Sequence, residues 1–164
     1  MVREILTVPN SLLLKKSKIV GNVLAPDIQF IIKDMIDTLS ARPDGAGLAA
    51  PQIGISKRIF VGINPDSAEI EVFINPRYIY FVEGEIADWE GCLSIPGKIG
   101  IVKRYPHVVI QYTDEKGEER QKMAEGFFAR LIQHEIDHLN GILYTSKAIV
   151  VKDVEISEEG IMNG

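Results

Sequence analysis

One segment limits what this chain can fold into more than any other. Between Phe127 and Leu139, the apolar residues Phe127, Phe128, Leu131, Ile132, Ile136 and Leu139 recur at helical spacing and leave almost no wholly polar face. A helix of that kind belongs in an interior, and Asn140-Gly141 behind it is a suitable pair for its C-terminal cap. The same helix carries His134-Glu135-Ile136-Asp137-His138. Buried polar and charged groups are costly unless they are partnered, so the rest of the fold must wrap the helix and supply partners. Histidines at i and i+4 stand one above the other, about 5–6 Å apart at Cβ, so both imidazoles can reach one cation. Glu135 is rotated by roughly 100° from His134, close enough to meet a water at that cation without ligating it. Metal-assisted hydrolysis needs this separation, with neutral nitrogens holding the ion and a free carboxylate moving protons. As a pattern of five residues it also occurs by chance, and two ligands do not complete a site.

The flanking sequence indicates what wraps the helix. An earlier helix is predicted from Pro26 and Asp27, with Ile28, Ile31, Ile32, Met35, Ile36 and Leu39 on one side and Lys33, Asp34 and Asp37 on the other. It stops before Pro43, and Asp44-Gly45-Ala46-Gly47 reads as a tight loop. From Arg58 to about Met123 the pattern is of strands: 58–63, 71–75, 77–82 and 108–112, with Asp114-Glu115-Lys116-Gly117 as a hairpin turn. The expected architecture is α+β, one domain over residues 1–164, with antiparallel or mixed sheets packed around a central C-terminal helix. Eighteen basic against twenty-three acidic residues give a formal charge of −5, which argues against nucleic acid as a direct ligand. A composition 46% hydrophobic and 25% charged excludes disorder as the dominant state. No run approaches the roughly 20 apolar residues of a membrane span. The lone Cys92 cannot form an internal disulfide, which favours a reducing, cytoplasmic location.

Two further segments offer chemistry. Cys92 lies in Trp89-Glu90-Gly91-Cys92-Leu93-Ser94-Ile95-Pro96, where Gly91 and turn-forming neighbours let the backbone come close to an ion. Alone it reads as a small buried hydrophobe. Together with His134 and His138 it makes a three-ligand set with an open fourth position, the pattern of a catalytic site. His107, the remaining histidine, reads as a solvent-facing strand residue. As a fourth ligand it would close the site and leave Glu135 without a task. Gly45-Ala46-Gly47-Leu48-Ala49-Ala50-Pro51-Gln52 strips away side-chain bulk, and Gln52 supplies an amide donor suited to a developing oxyanion. It lacks the Gly-Lys-Ser/Thr of a phosphate loop.

Gly45–Gln52, Glu90–Ser94 and Gln133–His138, in this order and separation, resemble the three motifs of peptide deformylase, and the resemblance reaches from Ile5 to Leu143. It implies a metal-dependent hydrolase that takes the formyl group off formyl-methionine at the N-terminus of newly made proteins and releases formate. Cys92, His134 and His138 would then be metal ligands. Glu135 would be the general acid/base, and Gln52 with the Leu93 N–H the oxyanion donors. Ala46, Gly47 and Gly91 would meet the extended substrate, and Phe127, Arg130 and Leu131 would surround its methionine. The family's usual ion is Fe2+, with Zn2+, Ni2+ or Co2+ substituting, and its partners are N-formyl-methionyl nascent peptides met during a transient encounter with the ribosome.

Two departures from the family pattern fall outside the chemistry. Ile99 stands where relatives often carry arginine, with Lys98 beside it, and Ala46 replaces a bulkier aliphatic residue. From Ile142 to Gly164, Lys147 and Lys152 face Asp153, Glu155, Glu158 and Glu159. That sign is wrong for an RNA anchor, and Val154 and Ile156 suit an edge strand instead. Removal of residues from Ser157 onward is therefore expected to leave turnover of short formyl-Met peptides and ribosome binding unchanged. The rival readings are a small metalloprotease sharing the His-Glu-x-x-His helix and a non-catalytic metal binder completed by His107.

Overall fold

A computed structural model describes residues 1–155 and Gly164. Two helices, α1 (Pro26–Ser40) and α2 (Gly126–Leu139), pack with eight strands: β1 (Gly47–Ala49), β2 (Ile59–Ile63), β3 (Ile70–Phe81), β4 (Ile86–Cys92), β5 (Ile95–Arg104), β6 (His107–Thr113), β7 (Glu119–Glu125) and β8 (Val150–Asp153). They form a five-stranded sheet in the order β1-β2-β3-β6-β7 and a three-stranded sheet in the order β4-β5-β8. All pairings between these strands are antiparallel, and the one parallel contact is an isolated bridge between Lys18 and Lys57.

The larger sheet is covered on both faces, so its central strands read as continuous apolar runs rather than as alternating ones. Along β2, Ile59 and Val61 join Ile28, Ile32, Met35 and Leu39 of α1. Phe60 points the other way and stacks on Phe73, with Val108, Ile110, Phe128, Ile132 and Ile136 completing the layer under α2. Segments 71–75 and 77–82 belong to one long strand. Its register against β6 shifts between Ile74 and Arg77, and Asn75 there adopts a φ of 51°. Pro76 within this irregularity has no N–H to give to a ladder, so the bend carries the strand past it. Gly47, expected in a tight loop, is a strand residue, and Cys92 among its turn-forming neighbours is the last residue of a strand. Asp34, expected on the solvent face of α1, is buried under the N-terminal segment, where Arg3 Nε donates to it at 2.7 Å. The edge strand against β5 is Val150–Asp153, which ends one residue before the expected Val154; Ile156 lies outside the described residues.

The smaller sheet explains how α2 tolerates its ionisable groups. Every residue of α2 from Phe128 to Leu139 is buried, and its polar stripe faces β4 and β5. Gln133 both donates to the Tyr105 carbonyl and accepts its N–H, each at 3.0 Å. Arg104 bonds Glu90 through Nε and Nη2, both at 2.9 Å, and Asp137 through Nη1 at 2.6 Å. Arg130 adds a 2.7 Å bond to Glu90. Removing one member of such a buried network leaves charges without compensation. Arg104→Met should therefore destabilise the protein by about 3–5 kcal/mol, measured by urea unfolding. A loss below about 1 kcal/mol, the value of a surface pair, would show that the network is solvated.

Candidate active site

Three chain segments meet at one end of α2: the edge strand β1, the end of β4 and the helix itself. Cys92 is the last residue of β4, where the register against β5 slips between Glu90 and Cys92 and turns consecutive side chains toward the helix. The ligand atoms of Cys92, His134 and His138 all lie within 4.8 Å of one another, and all three residues are buried. Cys92 Sγ stands 3.3 Å from His138 Nε2.

The state of each histidine follows from its neighbours. Glu90 Oε1 lies 2.8 Å from His134 Nδ1; a carboxylate only accepts, so Nδ1 carries the proton and Nε2 offers its lone pair toward Cys92. That Nε2 is buried and has no hydrogen-bond partner among the described residues. Burial alone would lower the pKa of His134, but Cys92 and Glu90 hold it well above the ordinary value. A cation held by His134 together with Cys92 would take the place of that proton. Burial, reinforced by the charge on His134, keeps His138 well below the ordinary value and so neutral. Burial would also raise Glu90, yet its bonds to Arg104 and His134 hold it well below the usual carboxylate range. One thiolate and two imidazole nitrogens, one of them an orphan, suit a divalent transition metal.

Glu135 is fully buried, and neither of its oxygens has a hydrogen-bond partner among the described residues. Burial raises its pKa to about 7, with the negative charge of Glu90 adding to the shift and His134 opposing it. Gly47 makes room for this carboxyl group: a Cβ there would lie 2.8 Å from Glu135 Oε1 and 2.9 Å from Leu131 Cδ1.

Gln52 is fixed from both ends. Its Oε1 accepts the Ala49 N–H at 2.8 Å, while Nε2 donates to Ser94 Oγ at 3.1 Å and stands 3.7 Å from Cys92 Sγ. The Leu93 N–H and Gln52 Nε2 converge on one carbonyl oxygen, that of Gly164, at 3.2 and 3.5 Å. Beside this point a cavity of about 20 Å³ is lined by Trp89, Glu90, Gly91, Phe127, Arg130, Leu131, His134 and Gly164.

Not every expected contact falls where the sequence suggests. The Arg130 guanidinium turns from the cavity to Glu90 and to the carbonyls of Val102 and Ile86, at 2.7, 2.8 and 2.6 Å. The guanidinium thus ties α2 to β4 and β5, while Arg130 still lines the cavity. The Ala46 carbonyl is engaged by the Ile63 N–H at 2.9 Å, which leaves Gly47 as the better-placed outward group of that pair. His107 is exposed, pairs with Glu125 at 3.4 Å and stands apart from the Cys92–His134–His138 group. Ile99 is buried, and Lys98 pairs with Asp153 at 2.6 Å. Sequence reasoning missed Arg104 and the tasks of Glu90 and Asp137; the available signal was charge within segments otherwise patterned for burial.

A sequence model of the polypeptide deformylase family matches residues 2–153. Peptide deformylase from Symbiobacterium thermophilum is 44% identical over 161 residues, which span 97% of this chain and 71% of that one. The enzyme from Pseudothermotoga lettingae is 46% identical over 145 residues, 88% of this chain and 81% of that one. Among solved structures, peptide deformylase from Ehrlichia chaffeensis superposes with a TM-score of 0.85 at 34% identity, covering 90% of this chain and 88% of that chain. A structure of the Ehrlichia chaffeensis enzyme in complex with actinonin gives 0.85 at 36% identity, over 89% of this chain and 88% of that chain. With its buried cysteine and paired histidines in place, the chain belongs to the peptide deformylase family of metal-dependent hydrolases, which remove the N-formyl group from nascent peptides.

Proposed function

We propose that Cys92, His134 and His138 hold the catalytic ion, that Glu135 carries the proton and that Gln52 and Leu93 bind the oxygen of the formyl group. The observation that carries this reading is Glu135, a buried carboxyl group without a hydrogen bond among the described residues, set between two of the three candidate ligands. A structural metal site has no use for such a group. When bound, the ion supplies the Lewis acidity that makes water a nucleophile near neutral pH.

The residues of the chain do the rest. A peptide in extended form lies between the outer edges of β1 and β4 as an added strand, using Gly47 on one side and Gly91 on the other. Its formyl oxygen receives the Leu93 N–H and Gln52 Nε2, donors already fixed where negative charge develops. Water oxygen bonds to the formyl carbon as Glu135 takes a proton. The carbon–nitrogen bond then breaks as Glu135 returns the proton to the leaving amine, giving formate and a free N-terminus. Phe127 and Leu131, with Arg130 behind them, bound the space for the methionine side chain.

In the cell we assign the ion as Fe2+, because a mixed thiolate and imidazole set accepts several divalent metals and its choice follows availability. A free cysteine among the ligands fits a reducing cytoplasm, and among the described residues no helix is long and apolar enough to cross a membrane. Residues 1–164 act as one catalytic domain that meets the ribosome transiently, without direct nucleic-acid binding.

Glu135→Ala should retain its metal and lose about 10²–10⁴ in kcat/KM. The measurement is turnover of formyl-Met-Ala-Ser beside metal analysis of the same sample, and near-normal turnover in metal-replete protein would refute the role. Protein loaded with iron without oxygen should lose activity in air, where both ferrous iron and a thiolate are open to oxidation, while the nickel form persists. Iron protein that outlasted the nickel form in air would contradict the assignment.

A further inference from the structure

Gly164 is the one residue described beyond Glu155, and it is buried in the reaction centre. Its N–H donates to the Gly91 carbonyl at 3.3 Å, and its own carbonyl oxygen accepts the Leu93 N–H at 3.2 Å with Gln52 Nε2 at 3.5 Å. A Cβ on residue 164 would lie 2.7 Å from Glu135 Oε1 and 3.0 Å from His134 Cδ2. No side chain fits there, and neither Glu135 nor His134 can yield, because both are buried and held on α2.

These contacts use the groups assigned above to substrate: the outer edge of β4 and the two donors of the oxyanion site. We propose that residue 164 is an intramolecular competitor, a backbone carbonyl of the chain's own tail that occupies the formyl subsite and must leave before a formylated peptide can bind. The inference rests on the assignment of Gln52 and Leu93 as carbonyl donors. Residue 164 presents the same pairing as an extended peptide, an N–H to β4 and a C=O to the Leu93–Gln52 pair, and no covalent step is involved. The expectation that residues from Ser157 onward have no influence on turnover is accordingly replaced; Ser157–Asn163 themselves lie outside the described residues.

Three metal-loaded proteins test the proposal: the full chain, its Gly164→Val variant and a chain ended after Glu155. The family match closes at residue 153, so both changes fall outside it. A competing bound state divides the intrinsic dissociation constant by the fraction of molecules left free and so raises it, and both altered proteins should therefore show KM for formyl-Met-Ala-Ser lowered about 3–10-fold with kcat unchanged. Hydrogen exchange at the Leu93 amide, slow in the full chain, should accelerate in both. Equal KM and equal Leu93 exchange in all three would overturn the proposal. Absence of turnover in all three would instead refute the functional reading, and Leu93 exchange would still decide whether residue 164 occupies the site.

Discussion

Glu90 is the carboxylate on which the two halves of this molecule depend. It sits on β4, in the smaller sheet, and bonds Arg104 from β5 together with Arg130 and His134 from α2. Without it, a helix carrying two arginine-facing turns and a histidine pair would have no reason to enter an apolar interior. With it, one face of α2 closes against Phe60, Phe73 and Ile110 while the other closes against charge. The same bond that satisfies the interior fixes the His134 ring and selects which nitrogen is free, so stability and ligand geometry share one interaction.

The proposed substrate cleft follows from how the two sheets end. β1 is an edge strand of the larger sheet, and β4 is an edge strand of the smaller one. α2 spans the gap between them and places Glu135 behind Gly47 and His134 behind Gly91. Unpaired strand edges usually invite unwanted association; here Gly47 on one edge packs against Glu135, and Gly91 on the other lines the small cavity beside His134. Gly164 adopts that pairing with Gly91, which shows that the cleft accepts backbone from the chain itself. The groups proposed for catalysis therefore need no mobile assembly to come together. The side chains of Cys92, His134, His138 and Gln52 and the Leu93 N–H are held by elements whose packing is independent of any peptide.

Much of this was legible in the residues because local pattern and chemistry agreed. The α2 helix announced itself through an apolar repeat interrupted by Gln133 and by ionisable groups, and the strands of the hairpin around Asp114–Gly117 alternated as half-buried strands do. What escaped depended on contacts distant in sequence. Arg104 lies 33 residues from Asp137 and 14 from Glu90, and nothing local distinguishes it from a solvent-facing strand arginine. The family resemblance places Arg130 beside the substrate methionine, and it does line the cavity; that its guanidinium also bonds Glu90 and two carbonyls depends on the arrival of β4 and β5, which no local pattern signals. The strand character of Gly47 was hidden by its glycine-rich surroundings, which look like a loop until β2 supplies a partner. No feature of composition or periodicity pointed to Gly164.

In the proposed site the ion rests on one sulfur and two imidazoles while Glu135 stays off it. X-ray absorption at the metal edge of zinc-loaded protein reads this directly. One sulfur at about 2.3 Å and two nitrogens at about 2.0–2.1 Å are expected, with the sulfur signal absent in Cys92→Ser and the whole pattern unchanged in Glu135→Gln. A first shell without sulfur, or one that loses an oxygen ligand when Glu135 is replaced, would contradict that arrangement.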